Sequence, residues 1–151
     1  MSSSPRAGSV RVRVATEVDA SAIAKLAGEL GYPSTSADIV RRMRNLEPRS
    51  RHTVLVAESS SGEAIGWAHV SVNCLIESET RAELNGLVIA EGHRSLGAGA
   101  LLLEAAERWA RGQGCHTLNV RSNVLRSRAH HFYEKIGYQN YKTQKAFRKV
   151  L

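Results

Sequence analysis

The sequence predicts a single mixed α/β domain with the element order β-α-α-β-β-β-α-β-α-β. Three observations predict it. Short apolar runs of period two alternate with stretches of helical period. Glycine, proline and serine clusters punctuate them. No repeat, low-complexity tract after Ser9 or linker divides the chain.

Val10 to Ala15, "VRVRVA", alternates as a half-buried strand does. Asp19 can cap a helix running to about Leu30, which Gly31 to Pro33 stops. Ser36 can cap a second helix, with Ile39, Val40 and Met43 on one face and Arg41, Arg42 and Arg44 largely off it. "HTVLVAE" and "AIGWAHVSVNCL" read as strands of a hairpin joined by "SSSG". "RAELNGLVIA" is a further strand, interrupted by Gly86. A glycine-rich turn follows, then a helix with Leu102, Ala105, Ala106 and Trp109 on its apolar face. The strand "CHTLNVR", a helix around "SRAHHFYEKI" closed by Gly137, and an extended "YQNYKTQKAFRKVL" complete the order.

Composition narrows the class. At 151 residues the chain can bury a core without disulfide or metal, and 42% hydrophobic with 23% charged content fits a globular protein. The net charge of +7 favours an anionic partner, without choosing among nucleic acid, a phosphorylated cofactor or solvent. Cys74 and Cys115 lie in strand-like runs with no C-x-x-C spacing and are expected to be buried thiols in a reducing compartment. Residues 1–9 are expected to be a disordered tail, not a signal peptide. No apolar stretch approaches the roughly 20 residues of a membrane span. The expected location is the cytoplasm.

The least ordinary stretch is "VIAEGHRSLGAGALLLEAAERWA", Val88 to Ala110. The first amides of a helix lack intrahelical partners and carry partial positive charge, and glycines there let an anion approach. Two nucleotide motifs fail. Gly92 and Gly97 have P-loop spacing, but Ala98 and Gly99 stand where Lys and Ser/Thr are required. Gly97-x-Gly99 is followed by Leu102, not the third glycine of a dinucleotide fingerprint. A tight turn that uses glycines only for geometry remains the plain alternative.

Arg94-Ser95-Leu96-Gly97-Ala98-Gly99 resembles the R/Q-x-x-G-x-G/A cofactor motif of the GNAT superfamily of acetyl-CoA-dependent N-acetyltransferases. Ala129, Tyr133, Gly137 and Tyr138 resemble its second cofactor segment, A-x-x-x-Y-x-x-x-G-F/Y. The resemblance covers about Val10 to Leu151 and is to small, single-domain members of bacterial type. It implies an α+β fold with a mostly antiparallel central sheet flanked by helices, acetyl-CoA as cofactor and a homodimer. It implies cofactor contacts from Leu87, Val88, Ile89, Arg94, Ser95, Leu96, Gly97, Ala98, Gly99 and Tyr133. One departure stands out: Arg126 occupies the position where many members carry Asn, and the nearest Asn is Asn123. Either can serve the cofactor, Arg126 through a phosphate contact. His93, Arg94, Arg126 and Arg128 would together face a polyanionic coenzyme.

Amine acetylation by a thioester requires a deprotonated amine, yet an alkylammonium is only about one-thousandth free base at pH 7. Glu83 matches a glutamate that some members use as base, directly or through water; a solvated strand residue or ion pair is the alternative. The backbone N–H of Val88 or Ile89 is expected to stabilise the oxyanion of a tetrahedral intermediate, with Gly86 marking the bulge that splays the strand. Tyr133 matches the family's acid, although Ala129, Phe132, Tyr133 and Ile136 also form an apolar helix face. The acceptor, a small primary amine, is expected near Tyr32, Trp67 and His69, with Glu77, Glu79 and Glu83 as an acidic island. Such an island suits an aminoglycoside or polyamine; a protein N-terminus or lysine is the other acceptor. No metal is expected, because the adjacent His130 and His131 do not share a helix face. From a different class comes a non-enzymatic nucleic-acid or acyl-CoA-binding module. Against its nucleic-acid branch, the Arg-rich "IVRRMRNLEPRSR" has no accompanying binding motif.

Overall fold

Alternating strands and amphipathic helices assemble into a five-stranded sheet with helices on both faces in a computed structural model, which describes residues 9–122 and 124–151. The chain divides into two compact units, one ending at Val120 and the other Arg121–Leu151. The expected tail lies, except for Ser9, outside the described residues.

The first unit holds β1 (Arg11–Val14), α1 (Ala20–Glu29), α2 (Ser36–Arg44), β2 (His52–Glu58), β3 (Ala64–Leu75), β4 (Ser78–Ile89), α3 (Ala98–Gly112) and β5 (Leu118–Val120). Strand order is β1-β2-β3-β4-β5, antiparallel except for β4 with β5. Opposed residues share a face, so the register sorts the side chains. Val56, Trp67 and Val88 lie on one face, against Ala20, Ile23, Ala24 and Ile39 of α1 and α2. Leu55, Ala68 and Leu87 lie on the other, where α3 packs on β2, β3 and β4. Leu102 and Leu103 of α3 are fully buried, each worth about 1.5–3 kcal/mol of transfer free energy.

Local chemistry sets the helix starts differently from the sequence expectation. Thr35, not Ser36, caps α2: its hydroxyl accepts from the Asp38 amide and the Asp38 carboxylate accepts from the Thr35 amide, both at 3.0 Å. Asp19 occupies the cap position of α1, yet its side chain makes no cap bond. Its carboxylate takes both Arg13 Nη atoms at 2.8 Å and the Thr16 amide. Arg13 also donates to Glu58, tying β1, the entry to α1 and β2 together. These charge-assisted bonds hold the buried Asp19 carboxyl below its ordinary range.

Three further expectations are corrected. Tyr138 to Leu151 forms no strand, because alternation supplies no ladder partner and Phe147, Val150 and Leu151 stay exposed. The expected element order therefore lacks its final strand. Cys74 is exposed while Cys115 is buried, and both are free thiols. β4 starts at Ser78 and not at Arg81, with Ser78 paired to Leu75 across the hairpin. In the second unit, α4 (Ser127–Lys135) is followed by Gly137 at φ +97°, as the sequence predicts.

Candidate functional site

β4 changes character halfway along. Its parallel pairing with β5 covers Ala82↔Leu118, Glu83↔Asn119 and Leu84↔Val120, then stops. From Asn85 to Ile89 its only ladder partner among the described residues is β3. Against β3, Val70 faces Leu84 while His69 faces Gly86, so Asn85 is an extra residue. This bulge lies beside Gly86, as Gly86 suggested. Gly86 also answers to close packing: a Cβ there would meet the Trp67 ring at 2.8 and 2.9 Å. The two readings of this glycine hold together.

The bulge fixes which amides turn outward. The Ala90 N–H donates to the Ile65 carbonyl of β3 at 2.7 Å. By strand alternation the Val88 N–H points the same way, and those of Leu87 and Ile89 point away from β3. Of the two expected oxyanion donors, Ile89 has the open side and Val88 does not. Arg94 folds back so that its Nε donates to the Ile89 carbonyl at 3.4 Å.

Past β4 a short 3-10 turn, Glu91–Leu96, leads to Gly97 at φ +76°. A left-handed residue at the start of α3 suits glycine alone, and Gly97 contributes no side-chain cap. The first α3 amides, from Ala98 and Gly99 onward, therefore keep free donors. Nothing lies within 4 Å of a Cβ built on Gly92 or Gly97, and His93 Nδ1 in this turn is buried without a hydrogen-bond partner. Open amides, open glycines and an orphaned imidazole nitrogen fit a pyrophosphate. Leu96 is half-buried and Ala98 buried, so their backbone rather than their side chains is available. The Ser95 side chain and Asn123 lie outside the described residues.

On the face beneath α1 and α2 a cavity of about 470 Å³ opens. Tyr32, Trp67 and His69 line it, together with Asn85, Gly86, Arg42 and the apolar Ile23, Ile39, Met43 and Val54. Glu77 and Glu79 do not: they are exposed at the hairpin tip. Glu83 is absent from the lining too. It is buried on the same face, opposite Ser71, with its Oε1 3.3 Å from Arg81 Nε. Thus the acidic island is not one site.

The sequence reading missed His52. Its Nδ1 and His69 Nε2 share a hydrogen bond at 3.0 Å, with rings stacked at 5.3 Å. Burial, reinforced by His52, pulls the His69 pKa down to about 4, so the ring is neutral at pH 7. Pairing across β2 and β3 brings the two together, which no local motif announces.

In the second unit Tyr133 packs edge-on to Phe132 and Tyr138, with centroids at 5.3 and 5.9 Å. Burial raises its pKa above the ordinary tyrosine value, partly offset by Arg126, so the phenol keeps its proton. Arg126 is the residue before α4 and is exposed. Among the described residues no group of three or more His, Cys, Asp or Glu could hold a metal, and no helix is long and apolar enough to cross a membrane.

The chain is similar to known proteins. An aminoglycoside N(6')-acetyltransferase type 1 of Klebsiella aerogenes is 33% identical over 101 residues, spanning 65% of this chain and 66% of that protein. The structure of aminoglycoside N-acetyltransferase AAC(6')-Iy in complex with CoA matches with a TM-score of 0.84 at 17% identity, over 98% of this chain and 99% of that one. Glucosamine-6-phosphate N-acetyltransferase from Arabidopsis thaliana matches with a TM-score of 0.77 at 19% identity, over 93% of this chain and 98% of that one. Residues 21–138 match the model of the Acetyltransferase (GNAT) family. The chain belongs to that family and is an acetyl-CoA-dependent N-acetyltransferase.

Proposed function

We propose that the enzyme acetylates the primary amine of a small-molecule acceptor by direct attack. The observation that carries this reading is the departure of β4 from β5 after Leu84, next to a cavity reaching Gly86. Acetyl-CoA supplies the acetyl thioester: the amine nitrogen bonds to the acetyl carbon, the C–S bond breaks, and coenzyme A leaves as thiol. The α3 amides and Gly97 hold the pyrophosphate, with Arg94 and Arg126 as further cations. The outward N–H of Ile89 stabilises developing oxyanion charge. Glu83 takes the amine proton through water, since it lies outside the cavity lining but on the same sheet face. Tyr133, its proton retained by burial, is the acid for the departing thiolate. Free thiols at Cys74 and Cys115 support a reducing, cytoplasmic setting, and the family resemblance supports a homodimer.

Glu83→Gln tests the base. Acetyl-CoA affinity should survive while turnover falls about 10²–10⁴-fold, and the deficit should shrink as pH nears the acceptor's own pKa. A deficit independent of pH assigns Glu83 to acceptor binding instead. A second reading, an aminoglycoside acceptor, is favoured by the curated relative's name. Coenzyme A thiol release across amines, aminoglycosides and peptides separates the acceptors.

A further inference from the structure

The acceptor cavity lies on the α1/α2 face, and its lining can be read as a specification. Most of it is hydrocarbon: Ile23, Leu30, Ile39, Met43, Val54 and the Trp67 ring. Its ionisable members are Arg42, Tyr32 and His69, with no carboxylate among them. His69 is uncharged at pH 7, leaving Arg42 as the one formal charge in the lining.

The nearby acidic groups are engaged elsewhere. Glu83 pairs with Arg81, and Asp38 closes the α2 cap and lies 3.3 Å from Arg41. A polycation would therefore exchange water for apolar walls and a like charge, without a countercharge. Trp67 contributes ring surface, its Nε1 being buried out of reach of solvent. One polar group is matched to something smaller. Asn85 spends its Nδ2 on Ser71 Oγ at 2.8 Å and the Glu83 carbonyl at 3.5 Å, which leaves Oδ1 to accept from an amine.

We propose that the acceptor is a monoamine on an apolar alkyl or aryl body, carrying at most one further hydrogen-bonding group, and not a polycation. The cavity volume is within the roughly 300–1,000 Å³ of small-molecule sites. This inference rests on the reading of the chain as an amine acetyltransferase with this cavity as its acceptor site. It departs from the acceptor named for the Klebsiella relative.

The test is coenzyme A release by the full chain with acetyl-CoA, using the n-alkylamines from butyl to octyl, 2-phenylethylamine, spermidine and kanamycin at one pH. Burial of each added methylene should raise kcat/KM by about fourfold until the cavity is filled. 2-Phenylethylamine should exceed spermidine and kanamycin by more than about tenfold. A flat alkyl series, or preference for either polycation, overturns the proposal.

If no amine releases thiol, the acetyltransfer reading fails by itself, and calorimetry on the CoA-saturated chain decides the ligand class. Tighter binding of octylamine than kanamycin sustains the proposal; the reverse order, or no binding of octylamine, overturns it. Arg42→Glu provides a check at an exposed position, where Arg42 Nη1 donates to Ser34 Oγ at 2.8 Å. The ratio of kanamycin to 2-phenylethylamine in kcat/KM, or in affinity if turnover is absent, should rise at least about threefold. Equal changes for both would remove lining charge as the basis of selectivity.

Discussion

Acidification should destabilise this protein through His69 before its ion pairs are touched. The unfolded chain takes up a proton at this histidine near pH 6.5, whereas the folded chain does so only near 4. Between those values the unfolded state binds more protons, so stability falls as pH falls; below about 4 the contribution is spent. At about 1.4 kcal/mol per decade, the interval sets a ceiling of about 3 kcal/mol. His69 is only partly enclosed, and solvent screening reduces the expected loss to about 1–2 kcal/mol. With a urea m-value of about 1.5 kcal/mol/M, the midpoint should drop by roughly 1 M between pH 7 and 4.5. His69→Gln keeps a polar side chain but cannot titrate. Its own midpoint should therefore lose about 1 M less over the same range. The depressed Asp19 pKa places the loss of its Arg13 clamp at lower pH, below the carboxylate value of 3.8. Parallel midpoints for parent and variant from pH 7 to 4.5 would refute the linkage to His69.

The remaining predictions concern the site. Gly97→Ala and Gly97→Glu both force a side chain into the left-handed region at about 1–2 kcal/mol, but only Glu brings a negative charge to the open α3 amides. Calorimetry should find acetyl-CoA binding retained in the first and lost in the second; tight binding by folded Gly97→Glu would remove the phosphate assignment. Tyr133→Phe keeps the ring contacts with Phe132 and Tyr138, so thermal stability and acetyl-CoA affinity should hold while turnover falls. Unchanged turnover, with chemistry limiting, reduces Tyr133 to packing. Gly86→Ala places a methyl 2.8 Å from the Trp67 ring, an overlap expected to cost about 1–3 kcal/mol. Because Trp67 lines the cavity, acceptor KM should rise while acetyl-CoA affinity stays level.

The parts legible in the sequence were those whose signal is local. β2 and β3 have the ends that their alternation marks, and the α3 turn is visible because glycines and a helix start adjoin in the chain. β4 begins at Ser78 rather than Arg81, because Ser78 pairs with Leu75 and the stretch from Ser78 to Thr80 carries no apolar pattern. The C-terminal segment has a strand-like pattern without a partner, and hydrogen bonding rather than pattern makes a strand. His52 needed the β2–β3 register to meet His69. Met43 and Ile39 look like any helix-face residues until α2 is seen over the cavity. The acidic island was a coincidence of chain proximity: Glu77 and Glu79 stay exposed at the hairpin tip, whereas Glu83 is buried farther along β4 and paired with Arg81.

Asn85 is one residue more than the ladder has room for, and the count matters more than its identity. Before it, even-numbered residues of β4 face α3; after it, odd-numbered ones do. Substituting Asn85 leaves that arithmetic intact. Deleting it would leave Leu84 on Val70 and Gly86 on His69 in an unbroken ladder, so every later side chain keeps its face and the strand loses only its bulge and the bend that goes with it. The bend, rather than the sorting of side chains, is what a single lost codon would remove. In comparing sequences of this type, the spacing between Glu83 and Gly97 is as much a part of the site as the residues at its ends.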